Sequence, residues 1–298
     1  MAFTKKLAQA AGAVEIRLAA WLDHAAADGA PDRLVGAMRH GTLGGGKRLR
    51  PFLVLETAAL FGVPPEIALN TAAAVECVHC YSLVHDDLPA VDNDDLRRGR
   101  PTVHKAYDDW TAILAGDALL TLAFEILADS ETHADAAVRA ALTAGLARAS
   151  GGAGMVGGQC LDLQAEKLGD PAHPESAYIE RLQAMKTGAL LRFSCEAGGI
   201  LGGARSDQHR ALAAYGAAIG IAFQIADDLL DLEGDPAVMG KAAGKDEGKA
   251  TLHTMTDAHA ARTRLADLEA EAIAALSIFG ASAEALREAA RFIGHRQG

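Results

Sequence analysis

The sequence contains few aromatic residues and few cysteines. Aromatic side chains make up 5% of the 298 residues, whereas hydrophobic residues make up 50%, and most of the apolar positions hold Ala or Leu. These two residues favour helices, and aromatic and β-branched residues favour strands, so the composition argues against an all-β fold. Four cysteines in a chain of this length do not make the disulfide framework of a small secreted protein.

Long uncharged apolar segments are also missing. A membrane-spanning helix needs about 18 such residues in a row, and the sequence holds no run of that kind. The N-terminal apolar stretch carries Glu15 and Arg17, which the apolar part of a signal peptide would lack. We therefore expect a cytoplasmic protein with no membrane span.

Basic residues are outnumbered by acidic ones. The chain has 28 Lys and Arg against 39 Asp and Glu, which gives a net charge of −11. Such a charge repels the backbone of nucleic acids and an anionic membrane surface, so we expect no nucleic-acid partner. Small substrates that carry phosphate remain compatible with this charge if the basic residues are gathered locally.

The hydrophobic pattern predicts one fold class along the chain. Apolar residues recur at i, i+3, i+4 and i+7 almost from end to end, as on the buried face of a helix, and convincing strands are absent. The pattern predicts helices over ranges that include 101–107, 176–202 and 256–296. No linker or repeat divides the chain, so we expect a single all-α domain of about ten helices over residues 1–298.

A first acidic cluster follows a helix in the segment ECVHCYSLVHDDLPAVDNDDLRRGRPTVH, residues 76–104. On a helix, His79 and Asp86 share a face because they are seven residues apart, and Asp87 lies about 100° around from Asp86. Three more carboxylates follow, at Asp92, Asp94 and Asp95. Five carboxylates in ten residues repel one another unless they face water or bind cations.

A second acidic cluster lies in the segment YGAAIGIAFQIADDLLDLEGD, residues 215–235. Its polar residues fall on one helical face at i, i+3, i+4 and i+7; they are Gln224, Asp227, Asp228 and Asp231. Gly216 and Gly220 precede them on the same stripe, and mid-helix glycine costs about 1 kcal/mol against alanine, so something is expected to approach the backbone closely. The two acidic clusters are interpreted as two walls of one cavity.

Basic groups near these clusters indicate an anionic ligand. Carboxylate oxygens without nearby soft ligands favour Mg²⁺, most readily when a phosphate completes the coordination. Local cations that can hold phosphate follow a glycine run, precede a glycine, or lie in the Gly- and Lys-rich loop 234–251; they are Lys47, Arg48, Arg50, Lys186 next to Thr187, Lys241, Lys245 and Lys249. The loop is interpreted as a lid.

Three other motifs are weaker. Residues 41–47, GTLGGGK, have the spacing of a phosphate-binding P-loop, but Arg48 stands where Ser or Thr must reach Mg²⁺. Glu76 and His79 form one Glu-x-x-His pair, whereas a helical di-iron site needs two. Cys77 and Cys80 lack a second cysteine pair for zinc, so buried thiols between helices are the better interpretation.

Together these motifs resemble the trans-isoprenyl diphosphate synthases. The resemblance rests on DDLPAVD and DDLLD, with GGKRLRP upstream and RRG after the first aspartate motif, and it runs from about residue 41 to 251. The ECVHCYSLVHDD context is similar to the bacterial farnesyl type. The resemblance implies an all-α isoprenoid synthase fold, a homodimer, three Mg²⁺ ions, and condensation of isopentenyl diphosphate with an allylic diphosphate.

The resemblance also implies roles for individual residues. The implied metal ligands are Asp86, Asp87, Asp92, Asp227, Asp228 and Asp231. The implied ligands of the allylic diphosphate are Arg97, Lys186, Thr187, Gln224, Lys241 and Lys249. The implied ligands of isopentenyl diphosphate are Lys47, Arg50, His79 and Arg98. The groups expected to be essential for catalysis are Asp86, Asp92, Arg97, Lys186, Asp227 and Lys241.

Product length is expected to depend on the residues one to two turns before Asp86. Tyr81 lies five residues earlier, roughly 7.5 Å along the helix at about 1.5 Å per residue, and the resemblance makes Tyr81 with the small Ser82 a floor of the tail pocket. An aromatic residue there implies a fifteen-carbon product, farnesyl diphosphate. The interpretation of Tyr81 as an ordinary core residue stays open.

Alternatives within the same fold also stay open. A geranyl or geranylgeranyl diphosphate synthase would use the same metal and diphosphate ligands and would differ in the depth of the cavity. A terpene cyclase would usually replace the second motif, and a non-catalytic regulatory subunit would be expected to have lost one acidic cluster. Two departures from the family are visible: His40 stands where Tyr is usual, and the segment GKDEGKAT is short, which affects the alignment of Lys245 and Lys249.

Overall fold

The chain is helical over almost all of the residues that its computed structural model describes, which are 3–172, 175–233 and 258–295. This architecture confirms the all-α prediction. In chain order the α-helices are α1 (Phe3–Ala27), α2 (Asp32–Thr42), α3 (Leu49–Ala59), α4 (Pro65–Asp86), α5 (Val103–Ala106), α6 (Asp109–Ala128), α7 (Ala136–Ser150), α8 (Met155–Leu168), α9 (Ser176–Gln183), α10 (Ala189–Leu201), α11 (Ser206–Glu233), α12 (Ala258–Ala275) and α13 (Glu284–Gly294).

A short antiparallel hairpin interrupts the helices after α4. Its strands are β1 (Leu96–Arg97) and β2 (Arg100–Pro101), and Arg97 pairs with Arg100. Arg98 and Gly99 both have positive φ, 52° and 73°, which is the geometry of a two-residue type I′ turn. The prediction of helix from residue 101 is therefore wrong at its start, since α5 begins at Val103.

The described residues form two compact units. The first comprises Met1–Leu55 with Val63–Thr143, and the second comprises Glu56–Gly62 with Ala144–Gly298. The prediction of a single domain over 1–298 stays a prediction.

In the first unit, α4 is the central helix. Its residues are buried around nearly the whole circumference, including consecutive small and apolar side chains from Ala72 to Val75. A helix that is apolar all round belongs in a core. Gly41 of α2 comes so close that a Cβ there would lie 2.7 Å from a methyl carbon of Val84. This packing holds the end of α4, where the first acidic cluster begins.

In the second unit, α10 and α11 pack closely through glycines. A Cβ on Gly216 would lie 2.7 Å from the Cα of Arg192, and one on Gly220 would lie 2.9 Å from the Cα of Gly188. The close approach expected at these two glycines is thus made by a neighbouring helix. Tyr215, fully buried beside them, donates a hydrogen bond of 2.7 Å to the carbonyl of Leu286 in α13.

Two predicted long helices are interrupted. The range 256–296 is broken by a 3₁₀-helical segment at Leu276–Ala283, between α12 and α13, where Gly280 has a φ of 56°. The range 176–202 contains a π-helical turn at Ala184–Gly188, between α9 and α10. Such turns are rare inside helices and frequent at functional sites. This turn carries Lys186 and Thr187, two of the residues expected to bind diphosphate.

Three helices are long and apolar enough, by length and composition, to cross a membrane: α4, α6 and the part of α11 from Ser206 to Leu230. In their most apolar windows 72%, 50% and 61% of the residues are buried inside the protein. The absence of a membrane span therefore stays a prediction.

Candidate active site

The first acidic cluster is gathered by the loop that follows α4. Asp86 is the last residue of the helix, and the loop folds back so that the Asp92 N–H donates to the Asp86 carbonyl at 2.8 Å. The Asp94 N–H likewise donates to the Asp87 carbonyl at 3.1 Å, and Asn93 allows the bend with φ of 53°. Asp86 and Asp92 are both half-buried. Consecutive turns thus collect carboxylates at one end of α4.

Asp87 and Arg97 are bound to each other. The Arg97 Nε donates to Asp87 Oδ1 at 2.7 Å, and a terminal guanidinium nitrogen lies 2.6 Å from the same oxygen. Burial raises the pKa of the Asp87 carboxyl, and the guanidinium partly opposes that change. The structure therefore places an expected metal ligand and an expected diphosphate ligand in one buried ion pair, to which Asp94 adds a longer contact of 3.8 Å.

Arg98 lies across the glycine run that precedes α3. Its guanidinium donates to the Gly45 carbonyl, and a Cβ on Gly46 would lie 2.7 Å from the guanidinium carbon. Gly45 and Gly46 have φ of 77° and 125°, which few other residues tolerate. The glycines thus allow the hairpin arginine to approach the backbone just before Lys47, which is exposed.

Arg50 and His79 lie side by side. An Arg50 guanidinium nitrogen is 3.5 Å from His79 Nε2. Burial lowers the pKa of His79 well below its ordinary value, and the charges of Arg50 and Arg98 lower it further. His79 is therefore neutral near pH 7, so it can join a cationic anion-binding group without adding to its internal repulsion.

Arg48 has a structural role that separates it from the neighbouring cations. Its side chain is fully buried and forms ion pairs with Glu76 and, at 3.1 Å, with Glu15. The suggestion that Arg48 helps to hold an anion is therefore wrong, because internal carboxylates already engage its charge. Glu76 forms an ion pair with Arg48, so it does not serve as an iron ligand.

The paired cysteines are buried thiols. Cys77 and Cys80 are both free and buried, and burial raises the pKa of Cys80 to about 12. Metal binding requires the thiolate, so neutral thiols packed between helices fit the structure.

A small open cleft of about 40 Å³ lies beside the hairpin in the first unit. His40 bridges its walls: Nε2 donates to the Pro101 carbonyl at 2.7 Å, and Nδ1 faces an Arg100 nitrogen at 3.4 Å. Arg97 and Arg98 also line the cleft. The residue at which this chain departs from the usual Tyr thus ties α2 to the arginine-rich hairpin.

Tyr81 is buried on α4, five residues before Asp86. It is 5% exposed, and its hydroxyl has no hydrogen-bond partner among the described residues. Burial and the nearby charge of Asp86 raise the pKa of Tyr81 to about 12, so the phenol stays neutral. Ser82 is half-buried, and its hydroxyl donates to the His79 carbonyl at 2.8 Å.

In the second unit, hydrogen bonds connect the π-helical turn to α11. The Thr187 hydroxyl donates to Gln224 Oε1 at 3.1 Å, and the Gln224 amide donates to Asp228 Oδ1 at 2.9 Å. Gln183 donates to the other oxygen of Asp228 at 3.3 Å. Asp228 is buried, so the two amides supply the hydrogen bonds that a buried carboxylate requires. Asp227 is half-buried.

Lys186 forms an ion pair with Asp162 of α8. This contact is possible because α8 approaches the π-helical turn through glycine: a Cβ on Gly158 would lie 2.2 Å from the Lys186 backbone nitrogen. The ammonium group is thus held beside a carboxylate in a precise position rather than extended into water.

Several expected residues lie outside the described part of the structure. They are Lys241, Lys245 and Lys249 with the loop 234–251, and the side chain of Asp231. Their roles stay predictions.

The donor set fits Mg²⁺ as far as it is described. The expected ligands are carboxylates, the hard oxygen donors that Mg²⁺ prefers. Within the described residues, no three His, Cys, Asp or Glu side chains form a group that could hold a metal ion alone. Magnesium sites commonly use one or two carboxylates and take further oxygens from substrate phosphate.

Two polar residues that contact expected site residues, and one buried amide on α8, were not identified from the sequence. Asp162 pairs with Lys186, Gln183 binds Asp228, and Gln159 has both amide atoms buried without a partner among the described residues. The adjacent glycines 157 and 158 were an available signal, since paired mid-helix glycines indicate close backbone packing. The partners of Gln183 could not be read from its helical position alone.

Comparison with known proteins identifies the family. The family model for "Polyprenyl synthetase" matches residues 31–277. Farnesyl diphosphate synthase of Escherichia coli (strain K12) is 47% identical over 241 residues, which cover 79% of this chain and 79% of that protein.

A solved structure and a plant relative extend the comparison. The apo crystal structure of an FPP/GFPP synthase from Zymomonas mobilis has a TM-score of 0.88 at 48% identity and covers 98% of both chains. A chloroplastic geranylgeranyl pyrophosphate synthase of Catharanthus roseus is 41% identical over 72% of this chain and 60% of its own length. The chain is thus similar to enzymes whose names specify different prenyl products.

Proposed function

This chain belongs to the polyprenyl synthetase family, and from that premise we propose that it makes farnesyl diphosphate. The reaction is a head-to-tail condensation of isopentenyl diphosphate with dimethylallyl diphosphate and then with geranyl diphosphate. The proposed enzyme is a Mg²⁺-dependent prenyltransferase of the all-α isoprenoid synthase fold.

The observation that carries this proposal is the order of side chains on α4. The helix presents neutral His79 beside Arg50, buried Tyr81 next, and half-buried Asp86 at its end. This order sets an anion-binding group and a carboxylate cluster near an apolar aromatic residue, as a substrate with a diphosphate head and a hydrocarbon tail requires. The 47% identity to the Escherichia coli farnesyl diphosphate synthase supports the same product.

The reaction begins when the allylic carbon–oxygen bond breaks. The resulting cation is delocalised over three carbons, while the departing diphosphate gains concentrated negative charge. Asp86, Asp92 and Asp227 would hold Mg²⁺, with Asp87, Asp228 and Asp231 in support, and the bound metal would supply positive charge that stabilises this leaving group.

The chain's own cations bind and orient the two substrates. Arg97 and Lys186, with Thr187 and Gln224, hold the allylic diphosphate; Lys241 and Lys249 are proposed to join them. Lys47, Arg50, His79 and Arg98 hold isopentenyl diphosphate, whose alkene attacks the allylic cation. The released diphosphate then takes the proton, which restores a double bond and completes the condensation.

The ion pairs formed by Arg97 and Lys186 affect which anion these two residues can bind. Asp87 occupies Arg97, and Asp162 occupies Lys186, so these cations are already oriented and their charges compensated. An incoming diphosphate with its metal competes with a carboxylate for each cation. We therefore expect Arg97 and Lys186 to bind a multiply charged diphosphate in preference to a monophosphate, since only the diphosphate carries enough charge to displace the carboxylates.

The proposal includes a cytoplasmic homodimer with no membrane span. The burial of half or more of each apolar window in α4, α6 and α11 accounts for their hydrophobicity without a membrane. A second copy of the chain would cover the exposed apolar side chains of α6, which include Trp110, Ile113 and Leu114.

Product analysis tests the proposal directly. The purified protein is incubated with Mg²⁺, dimethylallyl diphosphate and labelled isopentenyl diphosphate, and the dephosphorylated products are separated by chain length. We expect fifteen-carbon farnesol. A main product of twenty carbons or more would replace the farnesyl assignment with the longer-chain alternative, which the FPP/GFPP and geranylgeranyl names of two relatives favour. No condensation would contradict the prenyltransferase function itself.

A further inference from the structure

His85 packs against α6 and has no assigned role in the proposed reaction. Its Nε2 donates to the Ile113 carbonyl at 2.9 Å and lies 3.8 Å from Asp117 Oδ1. Its ring also meets the Tyr81 ring edge to face, with 5.8 Å between the ring centroids. The imidazole thus connects the last turn of α4 to the backbone of α6.

Gly116 provides the space for this contact. An ideal Cβ on Gly116 would lie 2.1 Å from His85 Nε2 and 2.3 Å from Cδ2. Ordinary carbon contacts are 3.4 to 4 Å, so any side chain at this position must displace the ring. Because the imidazole bonds the Ile113 carbonyl and packs on the Tyr81 ring, its displacement breaks the contact that ties the end of α4 to α6.

The end of α4 determines where the first acidic cluster lies. Asp86 follows His85 directly and is the last residue of the helix. The Leu88 N–H donates to the His85 carbonyl at 3.2 Å, and the Asp92 N–H donates to the Asp86 carbonyl. Loss of the His85 contact is therefore expected to alter the position of both carboxylates that are proposed to bind Mg²⁺.

We propose that His85 is a positioning residue: its imidazole, seated on Gly116 and bound to the Ile113 carbonyl, holds the end of α4 on α6 and thereby orients Asp86 and Asp92 for metal–diphosphate binding. This inference rests on the proposed function. It concerns how the carboxylates are held, and it assigns the imidazole no contact with substrate or metal.

The test compares four variants with the unaltered protein. Gly116→Ala displaces the ring and His85→Ala removes it, whereas His85→Gln keeps an N–H that can reach the Ile113 carbonyl. Gly12→Ala is the matched control, because a Cβ on helical Gly12 meets nothing within 4 Å. Binding of inorganic pyrophosphate is measured by calorimetry at a series of Mg²⁺ concentrations, together with kcat and the KM of each substrate.

We expect Gly116→Ala and His85→Ala to raise the Mg²⁺ concentration for half-maximal pyrophosphate binding about tenfold and to lower kcat at least tenfold. The KM for isopentenyl diphosphate should change less than threefold, since His79, with Arg50 beside it, lies almost two helical turns before His85. His85→Gln should retain most of the wild-type Mg²⁺ dependence, and Gly12→Ala should match the wild type.

A double variant separates positioning from simple overpacking. In His85→Ala with Gly116→Ala the clash is gone, so thermal stability should recover while Mg²⁺-dependent binding stays weak. Recovery of both, or unchanged Mg²⁺ dependence in the single variants, would overturn the inference alone. If the unaltered protein binds no Mg²⁺–pyrophosphate, the proposed function fails and the inference fails with it.

Discussion

At the scale of single residues, the carboxylates of both clusters are predicted to be indispensable. Asp86→Ala and Asp227→Ala should each lower kcat by orders of magnitude, because each cluster supplies ligands that the other cannot replace. Each factor of ten corresponds to about 1.4 kcal/mol of lost transition-state stabilisation. Steady-state kinetics over a range of Mg²⁺ concentrations measures the effect, and full activity in either variant would rule out the requirement for both clusters.

Tyr81 is predicted to stop chain growth through its ring. An unobstructed tunnel would favour a further five-carbon unit, since each buried CH₂ contributes roughly 0.8 kcal/mol. Tyr81→Ala or Tyr81→Met should therefore yield products of twenty carbons or more, with diphosphate binding little changed. Chromatography of the dephosphorylated products shows the length.

The matched control for this prediction is Tyr81→Phe. The Tyr81 hydroxyl has no partner among the described residues, so its removal leaves the ring in place and breaks no described hydrogen bond. We expect Tyr81→Phe to keep the fifteen-carbon product. If Tyr81→Ala also stops at fifteen carbons, the floor of the tail pocket lies at another residue.

His79 is predicted to make stability depend on pH. Its ordinary pKa of 6.5 is lowered well below that value in the folded state by burial and by Arg50. Between the two pKa values the unfolded chain binds more protons, so the free energy of unfolding falls as the pH drops below 6.5. The loss is up to about 1.4 kcal/mol for each pH unit in that interval.

Urea unfolding at pH 7.5 and 5.5 checks this pH dependence. His79→Gln should lose less stability than the wild type between the two pH values, and the same substitution at exposed His24 serves as the control. Equal losses in the wild type and in His79→Gln would contradict the stated role of His79.

At the scale of secondary-structure elements, the contact between α10 and α11 depends on glycine. A Cβ on Gly216 would lie 2.7 Å from a backbone carbon of Arg192, so Gly216→Ala should reduce the free energy of unfolding by about 1–3 kcal/mol, the usual cost of overpacking. Gly12→Ala should instead stabilise by roughly 0.5–1 kcal/mol through helix propensity. Denaturant titrations of both variants compare them, and a stabilised Gly216→Ala would show that the two helices can separate without loss.

The hairpin after α4 is an element whose role comes from its turn. Arg98 and Gly99 both adopt positive φ, so the turn directs Arg98 back over Gly45 while Arg97 faces Asp87. Two consecutive arginines therefore contact different partners.

The π-helical turn has a comparable role, because it interrupts the regular helix where Lys186 pairs with Asp162 and Thr187 bonds Gln224.

At the scale of the whole molecule, the exposed face of α6 is predicted to be covered by a second copy. Trp110, Ile113 and Leu114 are 57%, 44% and 47% exposed, and clustered exposed apolar side chains mark interaction sites. The double substitution Ile113→Glu with Leu114→Glu should convert a dimer into a monomer, because it adds buried negative charge to the interface.

Sedimentation velocity measures the assembly state of this variant. Leu168→Glu is the control, since Leu168 is 77% exposed and lies at the end of α8, away from α6 in the sequence. The control should remain a dimer. A wild-type protein that sediments as a monomer would contradict the homodimer.

The all-α class and the chemistry of the candidate ligands follow from the amino-acid sequence alone. Helical periodicity is a local property that accumulates over many residues, so Ala- and Leu-rich segments with few aromatics predict helices reliably. The aspartate motifs likewise specify oxygen donors at one helix end and on one helix face. Both kinds of information lie within short stretches of chain, where geometry follows directly from residue spacing.

Which charges pair inside the protein depends on the packing of elements that are distant in the chain. Arg48 and Glu76 are 28 residues apart and Asp162 and Lys186 are 24 apart, so packing of separate elements selects these partners. Arg48 and Lys47 are neighbours of the same charge, yet Arg48 is buried in an ion pair and Lys47 is exposed. The contact between His85 and Gly116 could not be predicted for the same reason. The energy of a buried contact depends on the residues around it, and residue spacing along one helix does not show which residues of a neighbouring helix will pack there.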